Sequence, residues 1–175
     1  MTFSRFPVLA AGLLLLAGCN TAKVNNCPVS VILADAAQTT IFRQGAPQDP
    51  SGEAYRVALI GAGTSCDINR KTGETNSSLT LNFRATRAPS ADSAHYTVPY
   101  FVAVTRGDLL VEKRILNVSF DFAPGASAAT FSKSPDDFDI LLETGHQPYE
   151  YQLLAGFQMT PALVEYNKKT GRYAP

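Results

Sequence analysis

Tryptophan is missing from the 175 residues, and histidine and methionine occur twice each. Basic and acidic side chains balance at 15 each. That balance leaves neither a basic stripe for nucleic acid nor an acidic tail, so nucleic acid is not expected as a partner. The apolar run Val8 to Leu16 falls short of the roughly 20 residues a membrane-spanning helix needs. No His-Glu-x-x-His and no Cys/His set with zinc spacing occurs, so no metal or cofactor is expected. Gly-x-Ser-x-Gly and Ser-x-x-Lys are absent too. Any hydrolytic site would have to be assembled in three dimensions from separated residues.

What is present begins with the leader. Arg5 is the only charge before Cys19, and an apolar core and small residues follow it. That is the layout of a secretory signal, with Pro7 and the short core arguing against a membrane span. The exit sequence Leu16-Ala17-Gly18-Cys19 resembles the lipobox of bacterial lipoproteins. The resemblance implies that residues 1–18 are removed and that the Cys19 thiol receives a diacylglyceryl group, with further acylation of the new amino group. Two or three acyl chains hold a protein at a bilayer where one would leak. Asn20 stands where Asp marks inner-membrane retention in some enterobacterial lipoproteins, so the expected location is the outer membrane, facing the periplasm. The whole chain resembles the small lipoproteins of the Gram-negative envelope. The expected partners are the bilayer, through acylated Cys19, and another envelope protein.

Cys27 and Cys66 then remain as an even pair in an oxidising compartment, which reads as one disulfide. In the chain-entropy model a loop of that length contributes about 4 kcal/mol. Residues 19–26 form the lipidated Cys and a short tether. The seven residues Asn20 to Asn26 reach at most about 25 Å when fully extended, which keeps the domain close to the membrane.

Beyond the tether, apolar residues alternate with polar ones in short runs separated by Gly and Pro. Strands are expected near 28–34, 39–43, 54–61, 66–69, 79–85, 96–105, 109–122, 138–142 and 149–159. Pro99 suggests an edge or a bulge within its strand. Gly61-Ala62-Gly63 lacks the third glycine and the helix of a dinucleotide loop and reads as a turn or bulge. Arg106-Gly107-Asp108 reads as a hairpin tip, and residues 123–135 as a loop of small residues. Thr160-Pro161 opens a short helix, with Thr as N-cap and Pro in the first position. The pattern predicts an all-β fold, an antiparallel β-sandwich of about seven to nine strands with a short C-terminal helix, over residues 27–168. Residues 169–175 are expected to form a flexible tail. The stretch Leu142 to Tyr151 resembles the corner between two strands of fibronectin type III and immunoglobulin-like domains. That resemblance gives Tyr149 or Tyr151 the role of the structural corner tyrosine, whose hydroxyl bonds back to the corner.

Few residues remain for chemistry. His95 and His146 both lie beside turns, where a histidine is ordinarily solvated. Asp136, Asp137 and Asp139 are dense enough to consider calcium, although strand alternation puts Asp137 and Asp139 on a wet face. Tyr96, Tyr100 and Phe101 belong to a strand apolar on both faces, which makes them a candidate partner surface if one face is uncovered. The expected function is a membrane-anchored envelope lipoprotein with a non-catalytic binding or scaffolding sandwich. The alternatives are a periplasmic hydrolase with an assembled site and a protein that exchanges a β-strand with a partner.

Overall fold

The computed structural model describes residues 26–135 and 138–172. Residues 1–25, which hold the expected leader, Cys19 and most of the expected tether, lie outside them, as do the last three residues. The described strands are β1 (Val29–Ile32), β2 (Gln38–Phe42), β3 (Glu53–Ile68), β4 (Glu74–Arg87), β5 (Ala94–Arg106), β6 (Leu109–Phe122), β7 (Ala128–Lys133), β8 (Phe138–Leu141) and β9 (Tyr151–Phe157), followed by helix α1 (Pro161–Lys169). They form a β-sandwich. One sheet has the order β1-β9-β5-β6, and the other has β2-β3-β4-β7 with β8 also paired to β4. The first described strand lies in the four-stranded sheet; the path then makes a three-strand meander in the other sheet and crosses between them three more times. All pairs are antiparallel except β1 with β9. The second strand pairs with the third, so the path differs from an immunoglobulin domain while the two-layer architecture is the same.

Alternation explains the layers. Leu79, Leu81, Phe83 and Ala85 of β4 face Val98, Tyr100, Val102 and Val104 of β5 across the core. Aromatic rings fill the middle. Phe131 of β7 stacks between Phe83, at 5.2 Å, and Phe120, at 4.7 Å. Toward the β3–β4 turn the inward residues of β4 become Thr75 and Ser77, both fully buried. There Cys27, just before β1, is bonded to Cys66 of β3, and the bond ties the two sheets together at that end.

Several expectations change in detail. Of the two readings of Gly61-Ala62-Gly63, the turn falls and the bulge holds: β3 runs through it to Ile68, with a register shift between Leu59 and Gly61. Part of the expected 123–135 loop is β7, which pairs with β4. Pro99 lies in a strand paired on both sides. In an extended strand the N–H and C=O of one residue point the same way. The Pro99 carbonyl accepts from Gln158 N–H at 3.1 Å, one step beyond the β9 ladder. The donor that proline lacks would have pointed to that side, opposite Gln158, so the cost is one bond at the end of the β9 ladder and the ladder to β6 is untouched. The bulge sits instead at Val104/Thr105.

The C-terminal helix forms as its cap signals require. Thr160 Oγ1 accepts from Leu163 N–H at 3.3 Å, with Pro161 in the first turn. The helix packs on edge strand β2, where Asn167 donates to the Gln38 carbonyl at 2.8 Å. The tail is not wholly free. Arg172 pairs with Glu53, and Tyr166 donates to the same carboxylate at 2.5 Å.

The connection from β8 to β9 crosses between the sheets, and Tyr151 stands at its landing point. The buried Tyr151 hydroxyl accepts from Glu143 N–H at 3.3 Å and from Arg106 Nη1 at 3.4 Å. Tyr149, two residues earlier, is 53 % exposed. Of the two tyrosines, Tyr151 has the geometry of a corner residue. Tyr151→Phe is expected to lower stability by about 1 kcal/mol, the net worth of a typical hydrogen bond, and Tyr149→Phe to leave it unchanged. Urea midpoints read both, and an unmoved midpoint for Tyr151→Phe removes the corner role.

Burial of Tyr55, and then the nearby Tyr96, push the Tyr55 hydroxyl up to about 12. Below pH ~10 both folded and unfolded chains keep that proton and stability is complete. Above it the unfolded chain loses the proton while the folded one holds it, so stability falls until the folded group also titrates. Between pH 9 and 11.5 the wild type is expected to lose about 1–2 kcal/mol more than Tyr55→Phe, as urea midpoints at the two pH values report.

Candidate functional site

The two histidines lie apart, each beside a carboxylate. His95 on β5 is 2.7 Å from Asp121 on β6, and the side chains are 63 % and 74 % exposed. Thr97 and Ser119 pair at 2.7 Å one rung along the same outward face. Imidazole, carboxylate and hydroxyl thus share one face, but on an open sheet in water, with no wall to exclude solvent or hold a substrate. His146 contacts Glu150 at 2.5 Å in the β8–β9 connection. It lines a cleft of about 590 Å³ together with Asn26, the β3–β4 turn and Leu142–Pro148. Across the mouth of that connection Arg106 pairs with Glu143 at 2.7 Å. Its hydrogen bond to Glu143, and then that to Tyr151, push the Arg106 guanidinium above its ordinary range.

Asp136 and Asp137 lie outside the described residues, and Asp139 belongs to β8. Among the described residues no group of three or more His, Cys, Asp or Glu is placed to hold a metal ion. Gly107, in Arg106-Gly107-Asp108, has φ +55° and makes the β5–β6 hairpin tip, as its place between two apolar strands implies.

The aromatic strand divides. Tyr100 is fully buried and faces the core, so it is not part of a partner surface. Among the described residues its hydroxyl has no side-chain or backbone partner. Tyr96 lies at the core margin with its ring 4.0 Å from that of Tyr55. Phe101 alone points outward. The strand is apolar on both sides because its sheet is apolar on both sides.

That outer face is the surface the fold assembles from four strands. By register, Val31 on β1, Leu154 on β9, Ala103 on β5 and Lys113 on β6 form one row, and Gly156, Phe101 and Ile115 form the next. Val29 extends the patch along β1. Ile115 is 61 % exposed, while Val31, Leu154 and Phe101 are half-buried against their neighbours. Lys113 lays its ammonium 4.5 Å from the centre of the Phe101 ring. A Cβ at Gly156 would stand 2.7 Å from the Ala36 side chain and 2.9 Å from the Phe101 ring, so the turn Ala34–Ala36 closes that corner of the patch.

The edge beside the patch is β6, which pairs only with β5 among the described residues. Glu112 and Arg114 share the inward face of Val104 and Val102 and pair at 2.5 Å. Three consecutive charged residues on an edge strand oppose addition of another strand. Ile115 was missed as a surface residue in the sequence because Leu116, Val118, Phe120 and Phe122 already account for the core face of β6. The readable sign was an apolar residue at an outward position.

Comparison of the chain with protein-family models, with curated proteins and with solved structures finds no match.

Proposed function

We propose that the protein is a membrane-anchored envelope lipoprotein whose sandwich domain binds or scaffolds another envelope component and does no chemistry of its own. The observation that carries the reading is the apolar outer face of the β1-β9-β5-β6 sheet. The core on the inner side of that sheet is complete without it. Yet Val29, Val31, Phe101, Ile115 and Leu154 bring apolar surface from four strands to one side. Contiguous exposed apolar area on a monomer, as opposed to single residues, marks an interaction surface. The lipobox-like Leu16-Ala17-Gly18-Cys19 supports the anchor, and the short tether confines the partner to the same membrane surface or to something that reaches it. The hydrolase reading draws less support, because His95 and Asp121 stand exposed on an open sheet face and, among the described residues, no pocket encloses them.

The test is chemical crosslinking in native envelopes followed by affinity capture, with wild type beside Cys19→Ala and Ile115→Glu. One stoichiometric partner is expected with the wild type. It should be lost with Cys19→Ala, together with flotation on membranes, and reduced at least tenfold with Ile115→Glu, which should still float. A partner retained in full by Ile115→Glu overturns the choice of face. No partner in any sample overturns the binding role.

A further inference from the structure

Three turns meet at one end of the sandwich. The β3–β4 turn, the β5–β6 tip and the β8–β9 connection lie together there, joined by the Leu142 N–H to Gly73 carbonyl bond and the Arg106–Glu143 pair. The large apolar side chains left exposed by the fold concentrate on them. Leu109, Leu110 and Val111 sit at the β5–β6 tip, each about half exposed. Leu141 ends β8, and Tyr149 lies in the crossing connection. None of these has a place in the core, and three exposed apolar residues in a row at the start of β6 break the apolar–polar alternation of a half-wet strand.

The chain outside the described residues enters at the same end. Asn26 lines the cleft between the β3–β4 turn and the β8–β9 connection. Seven residues, Asn20 to Asn26, separate Cys27 from Cys19, so an anchor at Cys19 lies within about 29 Å of Cys27. The Cys27–Cys66 bond fixes that exit point against β3.

We propose that this end of the sandwich rests on the bilayer, with Leu109, Leu110, Val111, Leu141 and Tyr149 in the interfacial layer. The proposal rests on the lipid-anchor reading of Cys19. Apolar side chains and tyrosine are the residues that settle at a lipid–water boundary, the ring in the apolar part and the hydroxyl toward water. Charge does not drive the contact. Arg70, Lys71 and Arg106 on these tips are offset by Asp108, Glu143 and Glu150. Anionic lipid therefore adds little to it. The domain then stands upright, with both sheets roughly perpendicular to the membrane.

The absence of tryptophan gives a clean reporter. The lipidated full chain carrying Leu110→Trp is incorporated into phosphatidylcholine vesicles with brominated acyl chains, beside a chain carrying Ala91→Trp in the β4–β5 connection at the opposite end. Vesicle flotation is read on the same samples. Leu110→Trp is expected to float, to emit to the blue and to lose most of its fluorescence to the bromines, with no change on adding anionic lipid. Ala91→Trp is expected to float with solvent-exposed, unquenched emission. Tyr149→Trp repeats the result from a second tip if the first substitution disturbs folding. Flotation with both tips unquenched overturns the orientation and leaves the anchor standing. Quenching of Ala91→Trp alone places the opposite end on the membrane. Failure of every chain to float overturns the anchor, and the orientation falls with it.

Discussion

The Phe83 ring lies between the two sheets, and most of the fold's geometry passes through it. It meets Tyr100 edge-on at 5.8 Å and Phe157 at 6.0 Å, from two neighbouring strands of the opposite sheet, and it stacks on Phe131 at 5.2 Å. In a core without tryptophan, this cluster supplies the large rings that set the separation of the layers. Its register is strict. Sliding β4 by one residue would turn Phe83 and its companions Leu79, Leu81 and Ala85 to solvent and put Thr80, Asn82 and Arg84 inside. The same constraint settles β5, since Tyr100 must enter the core opposite Phe83. Phe101 is thereby forced outward whatever its own preference. The apolar outer face is thus partly a consequence of where the core needs its rings.

That dependence explains which parts of the structure were legible in the sequence. The core face of β4 is plain because its polar and apolar residues alternate without exception from Leu79 to Ala85. The helix is plain because Thr160 and Pro161 signal its start, and the sandwich follows from many short runs of alternation. The division between Tyr100 and Phe101 was not legible, since alternation assigns neighbours to opposite faces without saying which face is dry. β7 was hidden because Ala128, Ala129, Thr130 and Ser132 are small residues with weak pattern, and only Phe131 reports the core. β3 was broken too early because Gly61 and Gly63 resemble a turn, whereas the strand uses them at a register shift in the ladder to β4. The parallel pairing of β1 could not be read from a four-residue strand, because alternation is the same in either direction. The anchoring of Arg172 depends on Glu53, more than a hundred residues away, and on Tyr166 of the helix.

The proposed orientation and the proposed interaction face fit one geometry. With the turns at the disulfide end on the bilayer, the outer face of the β1-β9-β5-β6 sheet looks sideways along the membrane surface. A partner held at that surface would approach from that side, with translational freedom already reduced by confinement to two dimensions. The strand beside the face constrains how such a partner engages. Adding a strand to β6 would place new backbone against Glu112, Lys113 and Arg114 and strip water from three charges in succession. Val31, Leu154, Phe101 and Ile115 instead offer side chains over several strands and require no backbone pairing. Lys113 is the exception that tunes the patch. Its ammonium lies over the Phe101 ring, so a partner with a carboxylate there gains an ion pair without burying an unpaired charge. The chemistry of the face therefore favours side-chain packing by an apolar surface with an acidic margin over extension of the sheet.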